Sequence, residues 1–376
     1  MHIVVEQNRF QEAVNQVAKA VSSRTTIPVL TGIKLEVNRE GCVLTGSDSD
    51  MTIQVTIPTH ENDKELIKVD KLGSIILPAK YFTEIVKKAP GQQLELELTA
   101  HNVVKIGSGS AVFQLNGIDA EEYPQLPSIN ENQMFRLSAQ LFKTMIRQTA
   151  FAAATSEARP QLTGVLMKLE NKTLTMVATD SHRLSRRTAQ TEADESVQFD
   201  QVIVPSRSLS ELQRLLDGEE TTIEVLISSH QLLVKTDHLL FFSRLLDGTY
   251  PDTDRIIPDS FKGTLTVETQ AMINALERAS LLARDGKHVV KLNCQPDRLE
   301  INSTALEVGQ VVEQIDLVRY EGEEIQIAFN AKYMLEALRA LESDRAEIGF
   351  TGALSPFMLK PVDQDDLLQL IVPVRT

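Results

Sequence analysis

At 376 residues, 42% hydrophobic and 24% charged, the chain has material for two or three domains of ordinary size with substantial cores. A net charge of −14 argues, taken as a whole, against nonspecific nucleic-acid binding, and the lack of Trp with 5% aromatics argues against carbohydrate- or base-stacking platforms. Cys42 and Cys294 stand far apart without metal-ligand spacing, and no apolar run approaches the roughly 18 residues of a membrane span, so a reduced, soluble, cytoplasmic protein is expected.

The first residues read directly as a strand rather than a leader. This strand, from Ile3, runs into a helix over 7–21 with Phe10, Val14, Val17 and Val21 on one face. Short strands follow at Gly32 to Val37, Cys42 to Thr45 and Met51 to Ile57. Asp48-Ser49-Asp50, before the last of them, lacks the glycine and distant glutamate of a calcium loop and reads as a connecting turn. A second helix is predicted over 79–89, with Pro78 suited to its first turn. Strands at Leu94 to Leu98, Val103 to Ile106 and Ala111 to Leu115 close this part. Gly107-Ser108-Gly109-Ser110 has the look of half a phosphate loop, but a strand follows it instead of a helix, so it reads as a hairpin turn.

The same plan then recurs. Phe135 to Phe142 leads into a helix over 138–154, strands span Val165 to Glu170 and Thr173 to Ala178, and the acidic Thr191 to Glu195 reads as a solvated loop. Ile203-Val204-Pro205 opens a helix over 206–216, followed by strands at Thr222 to Ile227 and Leu232 to Thr236. A third copy starts at Leu265, with helices over 269–284 and 331–341 and Asn330 as an N-cap. Val5, Leu137 and Val267 correspond, as do Phe10, Phe142 and Met272, and Ala-Lys-Tyr stands at both 79–81 and 331–333. Pro-rich connectors, Tyr123-Pro124 and Tyr250-Pro251, separate the copies. The expected fold is α+β: three tandem copies, over 1–127, 128–253 and 254–376, each of antiparallel sheets with two helices.

Charge is segregated along this plan. The six predicted helices hold 13 basic and 5 acidic residues, leaving 25 of the 38 basic and 47 of the 52 acidic residues elsewhere. Helix propensity favours Glu about as well as Lys and Arg, so propensity alone does not explain the bias. Basic helices on an acidic, strand-rich body suit a phosphate backbone bound without sequence preference.

The stretch Ala178-Thr179-Asp180-Ser181-His182-Arg183-Leu184 carries a carboxylate, a hydroxyl, an imidazole and a guanidinium in consecutive positions. Adjacent side chains of an extended segment point to opposite faces, and no Gly-x-Ser-x-Gly elbow surrounds Ser181, so a hydrolase is disfavoured. Two readings stay open: a strand ending in a polar turn fixed by Asp180, and a surface binding site with polar handles over an apolar floor. A repeated scaffold that binds proteins only is the remaining alternative.

This stretch, the triplicated unit, Leu246-Asp247-Gly248-Thr249-Tyr250-Pro251-Asp252 and the terminal Val372-Pro373-Val374-Arg375 resemble the bacterial sliding clamps, the beta subunits of DNA polymerase III. The resemblance spans the chain. It implies a head-to-tail homodimeric ring around duplex DNA that confers processivity in replication and repair. It implies no catalytic site, cofactor or metal, and a role as accessory subunit of a nucleotidyltransferase holoenzyme. Implied partners are the replicative polymerase catalytic subunit, the clamp loader, and translesion polymerases and repair proteins with a short binding motif. The resemblance implies a peptide pocket of Leu162, Thr179, Ser181, His182, Arg183, Leu184, Pro251, Arg255, Ile256, Pro356, Met358, Leu370 and Val372, with His182 and the arginines at its rim. Arg24, Arg207 and Lys332 would face DNA, and the charge argument adds Lys80 and Lys143. The dimer seam would join Val104, Phe113 and Leu115 to Leu281, Leu282 and the stretch from Leu306 to Val312. Ser181 and Pro160-Gln161 depart from the family pattern, which expects glycine before the histidine and aromatics after Arg159.

Overall fold

The computed structural model describes residues 1–22, 25–61, 64–125, 134–216, 221–283, 288–305 and 307–375. Arg24 and Leu306 lie outside the described residues, as do Arg284 and the junction between residues 127 and 128. Among the described residues, six α-helices form at the predicted places: α1 Gln7–Ala18, α2 Ala79–Lys88, α3 Ala139–Thr149, α4 Ser206–Leu215, α5 Thr269–Ala283 and α6 Ala331–Leu341. Helix α1 stops short of Val21 because the amides of Lys19, Ala20 and Val21 bond to carbonyls three residues back, at 3.3, 3.1 and 3.1 Å, which tightens the last turn. Helix α3 passes into a 3₁₀ turn at Ala150–Ala152, where the Thr149 hydroxyl donates to the Met145 carbonyl at 2.7 Å. Asn330 caps α6, its Oδ1 accepting from the amides of Lys332 at 2.9 Å and Tyr333 at 3.4 Å.

The chain forms two compact units, and these do not follow the sequence copies. The first comprises Met1–Ala139 with Arg214–Leu245, the second Gln140–Gln213 with Leu246–Thr376, so the central copy is divided between them. The cause is hydrogen bonding. In the first unit, Leu239–Arg244 of the central copy pairs antiparallel with Met51–Pro58 of the first. In the second, Arg183–Gln190 pairs with Leu367–Ile371 of the third. Sheet ladders satisfy the edge strands across copy boundaries, and compactness follows the ladders.

In the first unit, α1 and α2 meet through Phe10 and Phe82, whose rings lie edge to face at 5.9 Å. A five-stranded sheet runs in the order Ala111–Asn116, Val103–Ser108, Gln93–Leu98, His2–Glu6, Ile67–Lys71. The Gly109 region is the hairpin turn expected, with Gly109 at φ 56°. In the second unit, nine strands form one sheet, with Thr173–Thr179, Arg183–Gln190, Leu367–Ile371 and Phe357–Pro361 as successive neighbours. A four-stranded sheet begins at an edge strand, Gly309–Ile315, and continues through Arg298–Ala305, Val289–Gln295 and Ile325–Asn330. The acidic segment expected as a loop contains a two-residue strand, Glu192–Ala193, and the adjoining Thr191 hydroxyl donates to the Lys172 carbonyl at 2.9 Å.

Among the described residues, no helix is long and apolar enough to cross a membrane, and no group of three His, Cys, Asp or Glu side chains could hold a metal. Cys42 and Cys294 are free and buried.

Candidate functional site

The 178–184 stretch is a strand end and a tight turn built by its own side chains. Asp180 Oδ1 accepts from the amides of His182 at 2.9 Å and Arg183 at 3.0 Å. The Thr179 hydroxyl accepts from the Ser181 amide at 3.1 Å and donates to the Arg183 carbonyl at 2.6 Å. Ser181 takes a left-handed conformation, φ 77°. That position favours glycine, and the hydrogen bonds on either side hold serine there.

The first copy contains the same device. Asp48 Oδ1 accepts from the amides of Asp50 at 3.1 Å and Met51 at 2.8 Å, and Ser49 sits at φ 81°. The Ser47 hydroxyl accepts from the Ser49 amide at 3.3 Å and donates to the Met51 carbonyl at 3.2 Å. Ser47-Asp48-Ser49 and Thr179-Asp180-Ser181 are therefore one turn made twice, and the residues that distinguish the second are His182, Arg183 and Leu184. Ser181 Oγ accepts from Arg159 Nη2 at 2.8 Å, and the His182 ring stacks on Tyr333 with centroids 6.4 Å apart. Serine and imidazole thus have separate partners, unlike a nucleophile and its base.

Register assembles the apolar floor. Thr179 opposes Leu184, Leu184 opposes Leu370, and Leu370 opposes Met358, a continuous row across four strands. Leu162, Leu184, Met358 and Leu370 share one buried cluster with Leu166, Val177, Ile203 and Tyr250. The Tyr250 hydroxyl accepts from the Thr179 amide at 3.1 Å, and burial pushes its pKa well above the usual phenol value. The last strand is tied to the turn where the Val372 amide donates to the His182 carbonyl at 2.8 Å. Beside this floor Val372 is exposed, as are His182, Pro251 and Ile256, and Pro356 is half-buried.

Two expected rim arginines differ. Arg183 points to the face of the sheet opposite Leu184, as strand alternation requires, and its side chain is only 10% exposed. Nε donates to Asp180 Oδ2 at 3.1 Å, Nη2 to the Phe151 carbonyl at 2.6 Å, and Nη1 pairs with Glu336 of α6. It is a buried clamp rather than a rim group. Arg255 is on the surface, paired with Asp252 at 2.9 Å. Tyr333, absent from the expected set, contacts both His182 and Arg183, its ring centroid 4.6 Å from the guanidinium carbon. The repeated Ala-Lys-Tyr was visible in the sequence, but only the fold brings that tyrosine to the turn.

Of the residues expected to face DNA, Lys80, Arg207 and Lys332 are exposed and Lys143 is half-buried. The helical charge is partly matched by acids: Arg9 with Glu12 at 3.5 Å, Lys88 with Glu84 at 3.0 Å, Arg147 with Glu342 and Arg339 with Glu277 at 2.6 Å each, and Arg278 with Glu313. Of those expected at a dimer seam, Val104 is fully buried in its own unit, so it cannot offer contact surface. Its strand alternates, which turns Val104 and Ile106 inward. Phe113, Leu115 and Leu282 are half-buried, the first two on the edge strand Ala111–Asn116. Of the expected seam residues, Leu281 at 60% and, in the 306–312 stretch, Val308 at 63% and Val312 at 56% do expose apolar surface, and Val112 at 59% adds to it on the edge strand.

Comparison with known proteins gives one family. Models of the DNA polymerase III beta subunit match along nearly all of the chain: the N-terminal domain at residues 1–127, the central domain at 136–252 and the C-terminal domain at 254–375. The chain is 47% identical to the beta sliding clamp of Halalkalibacterium halodurans over 379 residues and 46% identical to that of Bacillus subtilis over 378, covering 100% of both chains in each case. The crystal structure of the Bacillus subtilis DNA polymerase sliding clamp superposes with a TM-score of 0.97 at 46% identity, covering 100% of this chain and 99% of that one. That of the DNA polymerase III beta chain from Streptococcus pneumoniae superposes with a TM-score of 0.95 at 38% identity, with full coverage of both.

Proposed function

Because the chain belongs to the DNA polymerase III beta subunit family and is a sliding clamp of DNA replication, we propose how its own residues carry that role. Two copies close head to tail into a ring around duplex DNA. Each contributes three clamp domains, over 1–127, 128–253 and 254–376. The ring tethers the replicative polymerase catalytic subunit to its template in the cytoplasm. The clamp performs no bond-making step itself, and nucleotidyl transfer belongs to the holoenzyme it serves. A clamp loader opens the ring, and translesion polymerases and repair proteins exchange on the same pocket.

The observation that carries this reading is the row Thr179, Leu184, Leu370 and Met358 beneath a rigid turn. A short apolar partner peptide lies over that floor, bounded by Leu162, Pro251, Ile256, Pro356 and Val372 and by His182. Ser181 and Arg183 shape the turn rather than touch the peptide, and Arg255 lies at the outer edge. Affinity of about micromolar, roughly −8 kcal/mol, suits partners that must exchange. DNA is held topologically, with Arg24, Lys80, Lys143, Arg207 and Lys332 giving weak, sequence-independent contacts. The seam joins the edge strand Ala111–Asn116 of one copy to Gly309–Ile315 of the other, with Leu281 and Leu282 packing on Phe113 and Leu115.

The test is loading onto nicked circular DNA by a clamp loader, followed by gel filtration. The clamp should stay with the circle and leave when the circle is linearised. Equal release from both forms would refute topological tethering. For the pocket, His182→Ala or removal of the last five residues should abolish polymerase stimulation while the dimer persists, and unchanged stimulation in both would refute the assignment.

A further inference from the structure

The turn that would support a partner peptide is held by helix α6 through Arg183. Helix α6 presents Tyr333 and Glu336, one turn apart, to the buried side of Arg183. The guanidinium is engaged on every side: Glu336 on Nη1, Asp180 on Nε, the Phe151 carbonyl on Nη2, and the rings of Tyr333 and Phe151 at 4.6 and 5.3 Å. An arginine so enclosed depends on complete pairing, since a desolvated guanidinium with one carboxylate removed is left undercompensated. The carboxylates flank it from two elements. Asp180 comes from the turn itself and Glu336 from α6, so the pair fixes the turn's position on the helix. His182, the next residue along, lies on the same Tyr333 ring, nearly parallel at 17°. Moving Arg183 therefore moves His182 on one side and Leu184 on the other.

We propose that Glu336 is a positioning residue for partner docking, acting through Arg183 on the orientation of His182 and Leu184. The inference rests on the reading of this turn as the floor of the docking pocket. It adds a determinant on the opposite face of the sheet, on the helix that also carries Lys332, whose Nζ lies 4.0 Å from the second Glu336 oxygen.

The experiment measures binding of the full-length clamp to the immobilised replicative polymerase catalytic subunit of the same organism by surface plasmon resonance. Glu336→Gln keeps the side chain's size and removes its charge. Its affinity should fall about tenfold, an effect of about 1.4 kcal/mol, while dimer mass and retention on nicked circular DNA stay as in the parent. Glu336→Asp restores the charge on a shorter arm and should recover affinity to within about threefold of the parent. Parental affinity in Glu336→Gln overturns the proposal, as does a failure of Asp to rescue. If His182→Ala alone binds like the parent, the pocket reading fails. If His182→Ala loses binding and Glu336→Gln does not, only the role of Glu336 fails.

Discussion

Asp180 offers the cleanest separation of turn geometry from docking chemistry. Its Oδ1 accepts two backbone amides at 2.9 and 3.0 Å, and its Oδ2 takes Arg183 Nε at 3.1 Å. Bonds to a charged acceptor contribute about 1.5–3 kcal/mol each in favourable sites, and these amides lie close to water, which can replace part of the loss. Asp180→Ala should therefore cost about 2 kcal/mol in holding the turn, or about thirtyfold in affinity for the polymerase catalytic subunit. Asp180→Asn keeps an acceptor for both amides but sets an NH2 group against Arg183 Nε, losing that hydrogen bond and the charge, while Glu336 still pairs the guanidinium. About fivefold is expected there, near 1 kcal/mol. Asp48 supplies the internal control. It accepts the amides of Asp50 and Met51 at 3.1 and 2.8 Å in the sister turn. Asp48→Ala should shift the urea midpoint about as far as Asp180→Ala and leave partner affinity within twofold of the parent. Unfolding curves and plasmon resonance on the three variants decide it. Parental affinity in Asp180→Ala, or an equal loss in Asp48→Ala, would refute the argument that this turn specifically presents the docking surface.

Three further outcomes follow from buried or paired groups. Tyr250→Phe removes the acceptor of the buried Thr179 amide, 3.1 Å away, and should destabilise the chain by about 1–3 kcal/mol in urea unfolding; no shift would mean that water replaces the phenol. Burial pushes the Cys42 and Cys294 thiols up to about 12, so both should resist alkylation at pH 8 until denaturant unfolds the chain, and rapid modification of the native protein, read by mass spectrometry, would contradict their burial. The Arg278 hydrogen bond holds the Glu313 carboxyl below its ordinary value. A depressed folded value stabilises above the unfolded one and is lost as pH falls through the folded one, so as pH falls below about 5 the parent should lose more stability than Glu313→Gln. Parallel decay of the two would show that the pair contributes nothing measurable.

The sequence was legible where period and propensity act alone. Helix positions followed from apolar spacing, as at Phe10, Val14 and Val17, all buried in α1. Strand pairs followed from alternation, and Thr222 to Ile227 forms as read. It was less legible where tertiary hydrogen bonding decides. The copies are evident as repeated residues, but compactness follows ladders that join Leu239–Arg244 to Met51–Pro58, and nothing local to either strand announces that pairing. Val104 shows the same limit on a smaller scale. Its strand lies one in from the edge strand Ala111–Asn116, and alternation turns Val104 and Ile106 inward, so naming the strand does not name the exposed side.

Arg183 is the sharper case. The pocket that the resemblance implies puts Arg183 beside Leu184, whereas the period of two sends neighbours in a strand to opposite faces. Applied to this pair, the rule alone separates a floor residue from a clamp residue. What alternation could not supply was the identity of the clamp's other half. Glu336 lies 153 residues away on a helix whose sequence marks it only as amphipathic, with Lys332 four residues earlier as its evident local partner. A local reading assigns Glu336 to that exposed helical pair. The fold assigns it to Arg183, because a guanidinium enclosed by Phe151 and Tyr333 needs a second carboxylate more than a solvated lysine does. The strength of each claim on one carboxylate, set by burial, therefore decides which contact holds the 180–183 turn.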